Sequence, residues 1–165
     1  MPAKATIFNK NCNPILELGE GLYNTIKWNP KGRFMVLAGF GNLDGDMEFW
    51  DCSEKQKVAK TKSEWSMTSE WSPDGRHFMT AATVPRLQKD NLIKIFDHNG
   101  SLQFTKVFQK LRQADWKPEA PERFDDITDL PTSLSILKIE ETKKQGSGVG
   151  GLAPTGLVTL CIYFS

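Results

Sequence analysis

The fold is decided by a motif that occurs as Trp28-Asn29-Pro30-Lys31-Gly32, again as Trp71-Ser72-Pro73-Asp74-Gly75, and a third time in part as Trp116-Lys117-Pro118. The tryptophans are 43 and 45 residues apart, which is the repeat length of a four-stranded β-propeller blade. A short alternating run precedes each tryptophan, and in the two complete copies proline and glycine then supply the fixed and the permissive φ of a tight turn. The motif therefore predicts two strands joined by a turn. Its structural repeat positions are Trp28, Pro30, Gly32, Trp71, Pro73, Gly75, Trp116 and Pro118.

The second, third and fourth strands of each repeat are predicted from the residues that follow the turn. Residues 33–40 and 76–83 are apolar at both odd and even positions, as expected for a strand that is covered on two faces. After a loop, a third strand ends in Trp50-Asp51 and, 46 residues later, in Phe96-Asp97. This is the Trp-Asp position of a propeller blade. Residues 56–61 and 102–108 are predicted as the fourth strands.

The predicted fold class is all-β, a partial WD40-like β-propeller of about two and a half blades. We expect incomplete blades over residues 1–130, a short charged helix within 131–145 and a disordered, flexible tail over 146–165. The tail begins with the linker-like sequence GSGVGG. Because propellers typically have four to eight blades, this chain should be a piece of a larger structure and should be prone to associate when it is alone.

Composition excludes several classes of protein. The chain has 165 residues, a net charge of +1 and 39% hydrophobic residues, which indicates one globular domain of ordinary size. Its three cysteines are widely spaced and form no CxxC pair, so neither a disulfide framework nor a zinc knuckle is indicated. The N-terminus has no secretory pattern, and the apolar run Leu157–Phe164 is far shorter than the roughly 20 residues of a membrane-spanning helix. We expect a cytoplasmic protein with no membrane partner.

Nothing in the sequence indicates catalysis. The two histidines, His77 and His98, lie in or beside turns and match no catalytic or zinc-binding motif. Acidic clusters around Asp46 and Asp126 lack the spacing of a calcium loop. The sequence therefore predicts no enzymatic activity, no metal and no cofactor.

Positive charge is concentrated in the second half of the repeat region. Residues 55–117 carry 12 basic and 6 acidic side chains, a local charge of +6. Cations in loops and outer strands can reach phosphate oxygens without being buried. The candidate RNA or ribosome contacts are Lys55, Lys57, Lys60, Lys62, Arg86 and Lys89.

A structural role for these lysines is the alternative. Outer propeller strands use lysine to prevent pairing at their edges. In a straight strand, moreover, Lys57 would lie on the opposite face from Lys60 and Lys62, since side chains alternate.

The tryptophans also allow two interpretations. Trp28, Trp50, Trp65, Trp71 and Trp116 could stack on bases, but all except Trp65 lie at or beside repeat positions where a blade needs a large filler. We expect those four to be core residues and Trp65 to be exposed.

Specific stretches resemble one known family. These are YNTIKWNPKGRF at 23–34, LAGFGNLDGDMEFWD at 37–51, TSEWSPDGRHFMTA at 68–81 and QADWKPEAPERF at 113–124. They resemble eukaryotic translation initiation factor 2A, in the closing blades of its propeller. The resemblance extends to about residue 145, and residues 147–165 depart from it. The family is longer at both ends.

The resemblance implies a translation initiation factor that binds the small ribosomal subunit and helps to deliver initiator methionyl-tRNA. Its implied partners are the small ribosomal subunit, the initiator tRNA, mRNA and other initiation factors. The alternative from another functional class is a WD40-type scaffold for protein interactions, such as a relative of the propeller subunit of initiation factor 3, which shares the turn motif.

Overall fold

The computed structural model describes residues 2–83, 91–127, 137–142 and 158–163. The described elements are thirteen strands and one short 3₁₀ helix at Pro121–Arg123. The strands are β1 (Ala3–Phe8), β2 (Pro14–Gly21), β3 (Thr25–Trp28), β4 (Phe34–Ala38), β5 (Asp46–Asp51), β6 (Gln56–Lys62), β7 (Thr68–Trp71), β8 (His77–Ala82), β9 (Asn91–Asp97), β10 (Leu102–Phe108), β11 (Gln113–Trp116), β12 (Leu137–Thr142) and β13 (Val158–Tyr163).

Two complete antiparallel sheets form the centre of the fold. Strands β3 to β6 make the first blade and β7 to β10 make the second, each in chain order. The strands β3, β7 and β11, which open successive units, lie beside one another. The predicted all-β propeller architecture is confirmed, with its four-stranded blades where the tryptophan repeat placed them.

The turn between the first two strands has the same structure in both blades. Gly32 and Gly75 have φ values of +74° and +71°, in the left-handed region where glycine carries no Cβ penalty. The residue after each tryptophan fixes the turn with its side chain. Asn29 Oδ1 accepts the Phe34 backbone N–H at 3.1 Å, and Ser72 Oγ accepts the His77 backbone N–H at 3.0 Å.

The core between the two blades is aromatic. Phe49 meets Phe78 and Trp71 edge-on, with ring centroids 5.8 and 6.2 Å apart, a favoured geometry for aromatic pairs. The Trp71 indole Nε1–H donates to the Lys27 carbonyl oxygen at 2.9 Å. In the next unit, Trp116 Nε1–H donates to the Glu70 carbonyl oxygen at 3.2 Å. Each of these tryptophans therefore donates a hydrogen bond to the unit before it. The acceptor is the backbone carbonyl of the residue that immediately precedes that unit's own repeat tryptophan.

Trp28 departs from this pattern, and its expected core position is wrong. Its side chain is 45% exposed, whereas Trp71 and Trp116 are 5% and 4% exposed. The reason is that no inner strand of a preceding blade lies against β3 in the described residues. Trp50 is buried and Trp65 is 60% exposed, so those two expectations are confirmed.

Strands β1 and β2 form a hairpin that the sequence analysis did not assign to a blade. Phe8 ends β1 and Asn9 follows it, in the place that Trp50-Asp51 has at the end of β5. Asn9 Oδ1 accepts two backbone N–H groups of the following turn, as Asp51 Oδ1 does. The hairpin packs on the first blade through Leu18, Met35, Leu37 and Trp50. It is therefore equivalent to the two outer strands of a blade.

Two expectations about the C-terminal region are corrected. The charged helix expected within 131–145 is instead strand β12, because Leu137-Lys138-Ile139-Glu140 alternates with the period of a strand and finds a partner backbone in β13. Part of the expected flexible tail, Val158–Tyr163, forms β13, which pairs antiparallel with β11. Its β-branched and aromatic residues favour a strand.

The segment after β11 returns to the first blade. Lys31 Nζ donates to the Phe124 carbonyl oxygen at 2.6 Å and contacts Asp126 Oδ1 at 2.8 Å. Arg33 Nη1 donates to the Ile127 carbonyl oxygen at 3.0 Å. The two cations of the first turn thus hold residues 124–127 in place.

We predict that Trp71→Phe lowers the free energy of unfolding by about 2 kcal/mol. The variant loses one hydrogen bond, of net value about 1 kcal/mol, and part of a buried ring. Urea denaturation followed by circular dichroism measures the change. The control is Trp65→Phe, an exposed tryptophan, for which we expect a change within about 0.5 kcal/mol. Equal effects in the two variants would contradict the role of the indole bond.

We also predict that stability falls as the pH drops below about 6.5. Burial lowers the pKa of His77 from its ordinary 6.5, and it outweighs the opposing charges of Asp74 and Asp97. Below pH 6.5 the unfolded chain therefore binds a proton that the folded chain does not, which favours unfolding. Neither ring nitrogen of His77 has a hydrogen-bond partner among the described residues.

Denaturation midpoints from pH 7.5 to 5 provide the measurement. His77→Leu should flatten this decline without a large loss of stability at pH 7.5. Ionisation of Asp51 affects the stability of the fold in a separate, more acidic pH range. Its folded pKa lies below the ordinary 3.8, so its stabilising effect is lost only as the pH falls below that value.

Candidate nucleic-acid interface

The six predicted contact residues do not form one cluster. Lys55 lies in the β5–β6 turn with a φ of +54°, and Lys57, Lys60 and Lys62 lie on β6. Arg86 and Lys89 lie outside the described residues. The strand ends that flank them, Ala82 of β8 and Asn91 of β9, are at the opposite end of a blade from the turns that follow β5 and β9.

A β-bulge changes which lysines share a face. The register between β5 and β6 shifts after Phe49↔Ala59, so that Trp50 lies opposite Lys57 and Val58 is the extra residue. Lys60 lies opposite Glu48 and Lys62 opposite Asp46. Because opposite residues share a face of the sheet, the three lysines of β6 lie on one face. The expectation from a straight strand, which separated Lys57 from the other two, is wrong.

Lys57 is held by a buried carboxylate. Its Nζ lies 2.9 Å from Glu48 Oε1, and the Glu48 side chain is only 5% exposed. The ammonium also lies 5.3 Å from the centre of the Trp50 ring, within cation–π range. Burial and the neighbouring Glu48 carboxylate raise the pKa of Tyr23 to about 12. Lys57 therefore compensates a negative charge inside the contact between the hairpin and the first blade.

The other lysines of this face differ in their surroundings. Lys62 Nζ is 4.0 Å from Glu64 Oε1, with both side chains largely exposed. Such pairs contribute little to stability. Lys55 and Lys60 are exposed. These two positions are therefore the best placed of the described candidates to meet an external phosphate.

The Asp of the Trp-Asp position is structural. Arg33 Nη2 lies 2.9 Å from Asp51 Oδ2. Burial by itself would raise the pKa of Asp51, but hydrogen bonds from Arg33 and from the Glu54 and Ser53 backbones outweigh it and lower the pKa. Arg33 is thus a cation near the surface that is already engaged by the protein.

No group of three or more His, Cys, Asp or Glu side chains that could hold a metal ion occurs in the described part of the chain. Over the same residues, no helix is long and apolar enough to cross a membrane.

Comparisons with known proteins agree on one family. The sequence profile described as "Eukaryotic translation initiation factor eIF2A" matches residues 1–114. Eukaryotic translation initiation factor 2A of Dictyostelium discoideum is 39% identical over 121 residues, which cover 73% of this chain and 20% of that protein. The chain therefore spans about a fifth of that relative.

A solved structure and a second group of relatives extend the comparison. A chain described as "Crystal structure of the eukaryotic initiation factor" superposes with a TM-score of 0.63 at 34% identity, covering 67% of this chain and 28% of that one. A subunit of eukaryotic translation initiation factor 3 from Nicotiana tabacum is 31% identical over 98 residues, covering 59% of this chain and 14% of that protein.

We predict that Lys57→Met destabilises the protein by about 1–3 kcal/mol, because it leaves the buried Glu48 carboxylate without its cation. The methionine keeps most of the aliphatic stem over Trp50. The matched control is Lys60→Met on the same face of the same strand, with an expected change within about 0.5 kcal/mol. Urea denaturation at pH 7.5 measures both variants. If the two variants are destabilised to the same extent, the Glu48–Lys57 pair is not what holds this face.

Proposed function

This chain belongs to the family of eukaryotic translation initiation factor 2A, and from that membership we propose that it binds the small ribosomal subunit and assists the delivery of initiator methionyl-tRNA. It acts through binding and without enzymatic chemistry or a cofactor. Its partners are the small ribosomal subunit, the initiator tRNA, mRNA and other initiation factors, and its site of action is the cytoplasm.

The observation that carries the RNA-binding part of the proposal is the position of Lys55 and Lys60. Both are exposed at the outer side of the first blade, where a cation reaches phosphate oxygens while it keeps its hydration. Lys57 contributes indirectly by holding the strand on which Lys60 lies. Lys62 is a weaker candidate because Glu64 lies beside it.

Arg86 and Lys89 are proposed as a second, separate contact. They lie between β8 and β9, in a segment whose flanking strand ends are at the other end of the blade from the turn with Lys55. One flat RNA surface would therefore not be expected to engage both pairs equally, and the two pairs should be tested in separate variants.

A protein-interaction scaffold is the second candidate function. It is favoured by the similarity to the initiation factor 3 protein of Nicotiana tabacum and by the acids beside Lys62, where Asp46 lies opposite it and Glu64 Oε1 lies 4.0 Å from its Nζ. A surface with both signs of charge suits a protein partner as well as it suits RNA.

Co-sedimentation with purified small ribosomal subunits, over a range of salt concentrations, tests the proposal. The double variant Lys55→Asn and Lys60→Ala should weaken binding and flatten the slope of log affinity against log salt by about two, one unit for each phosphate that is no longer neutralised. Asparagine is chosen at 55 because it tolerates a positive φ.

The control removes the same charge elsewhere. Lys10→Ala with Lys110→Ala should leave the salt slope near that of the unmodified chain, since these exposed lysines lie outside β6 and its turn, one between β1 and β2 and the other after β10. A second double variant, Arg86→Ala with Lys89→Ala, tests the other pair. If the chain sediments with the ribosomal particle and no variant changes the slope, the scaffold function is favoured; if it does not sediment, the proposed ribosome binding by this chain is wrong.

A further inference from the structure

The β4–β5 loop and the β6–β7 loop are joined at their bases, where the two whole blades meet. The Gly41 backbone N–H donates to the Ser66 carbonyl oxygen at 3.0 Å. The Ser63 backbone N–H donates to the Gly45 carbonyl oxygen at 2.8 Å. Ser63 Oγ also lies 2.7 Å from Thr80 Oγ1 of β8. The two loops are therefore held to each other and to the second blade.

Trp65 is exposed on this fixed base. Its φ is +61°, a left-handed backbone conformation that is rare for a bulky side chain. The side chain is 60% exposed, whereas the nearby Ser63 and Ser66 are 0% and 1% exposed. Strained residues persist only where the surrounding structure determines them, and they cluster at functional sites. Complete blades lie on both sides of this loop, so the exposure of Trp65 does not arise at an end of the sequence.

A cavity of about 340 Å³ lies beside Trp65, and its charged lining residues are Asp44, Lys62 and Glu64. The charge of Lys62 is already shared with acids of the protein. Its Nζ lies 4.0 Å from Glu64 Oε1, and Asp46 lies opposite it on β5. Three acidic side chains thus surround one lysine, which leaves an excess of negative charge next to an exposed indole ring.

We propose that this cavity binds an arginine side chain of a protein partner, with the guanidinium against the Trp65 ring and bonded to the carboxylates of Asp44 and Glu64. Tryptophan is the aromatic residue with the strongest cation–π attraction. A guanidinium stacks on aromatic faces and matches the geometry of a carboxylate. The site gives the protein-interaction function a specific ligand, and it does not depend on the ribosomal contact proposed for Lys55 and Lys60.

A nucleic-acid base is the other ligand that an exposed tryptophan can stack on. The phosphates that accompany a base would lie close to Asp44 and Glu64, and charges of the same sign repel. Charge complementarity therefore favours a cationic side chain at this cavity.

Titration of the full chain with the blocked peptide acetyl-Gly-Arg-Gly-amide, followed by NMR, tests the proposal. We expect the indole N–H resonance of Trp65, identified by its absence from Trp65→Asn, to shift over a millimolar range of peptide. The matched peptide with citrulline in place of arginine has nearly the same shape without the charge. It should bind about 5-fold more weakly or worse, because it makes no cation–π contact and no ion pair.

Two variants of the cavity test the carboxylates. Asp44→Asn and Glu64→Gln should each weaken binding of the arginine peptide by about 3-fold, since each removes one negative charge that faces the guanidinium. The matched control is Glu122→Gln with Asp125→Asn, which removes two negative charges from exposed positions in the segment after β11. The affinity of the control for the peptide should be unchanged.

Trp65→Asn separates a binding role from a structural one. Asparagine tolerates a positive φ, so the urea midpoint of the variant should equal or exceed that of the unmodified chain. Binding of the arginine peptide, measured by saturation-transfer difference NMR, should be lost. A tryptophan that served only the fold would give the opposite result, a lower midpoint with binding retained.

Other results overturn the proposal. They are equal binding of the arginine and citrulline peptides, no shift of the Trp65 resonance, or equal effects of the cavity variants and the control. A shift caused by octauridine RNA but not by the arginine peptide would assign the cavity to a nucleic-acid base instead. None of these outcomes alters the result of sedimentation with ribosomal subunits, so the two proposals fail separately.

Discussion

The indole hydrogen bond from one inner strand to the strand before it is the constraint on which the other contacts depend. Trp71 and Trp116 reach across to a backbone carbonyl of the preceding unit, which fixes both the distance and the rotation between neighbouring sheets. With that relation set, Phe49 of the first blade meets Trp71 and Phe78 of the second edge-on. A repeat held by contacts to its neighbours is stable only where a neighbour exists, and the exposure of Trp28 is the direct consequence.

A separate feature, the β-bulge in β6, explains why buried charge is tolerated near the first blade. Glu48 lies on the face of β5 that meets the leading hairpin, and its negative charge would be costly without a cation. The bulge at Val58 shifts the register by one residue and so brings Lys57 to the Glu48 face. Without the bulge, Lys57 would lie on the face of the sheet that packs against the second blade. The bulge therefore brings a compensating charge to Glu48, in addition to increasing the local twist of the outer strand.

The two whole blades could be predicted from the sequence because the pattern that specifies them is local and occurs twice. The turn glycines Gly32 and Gly75, the alternation before each tryptophan and the 43-residue period lie within short windows, and together they determine the two whole blades. The leading hairpin was missed although Phe8-Asn9 precedes Trp50-Asp51 by 42 residues, because asparagine replaces the expected aspartate. The helix expected within 131–145 was wrong for another reason. A charged segment of that length can form a helix or a strand, and here its pairing with the distant strand β13 makes it a strand.

The candidate site shows the limit of such reasoning more clearly than the fold does. Lys55, Lys57, Lys60 and Lys62 are alike in sequence, but one is in a turn, one compensates a buried carboxylate and one lies beside an exposed acid. These differences arise from a register shift and from cross-strand neighbours, and neither can be deduced from residue type or spacing. A basic stretch therefore indicates where positive charge is concentrated, but only the pairing of strands determines which cations remain available to a partner.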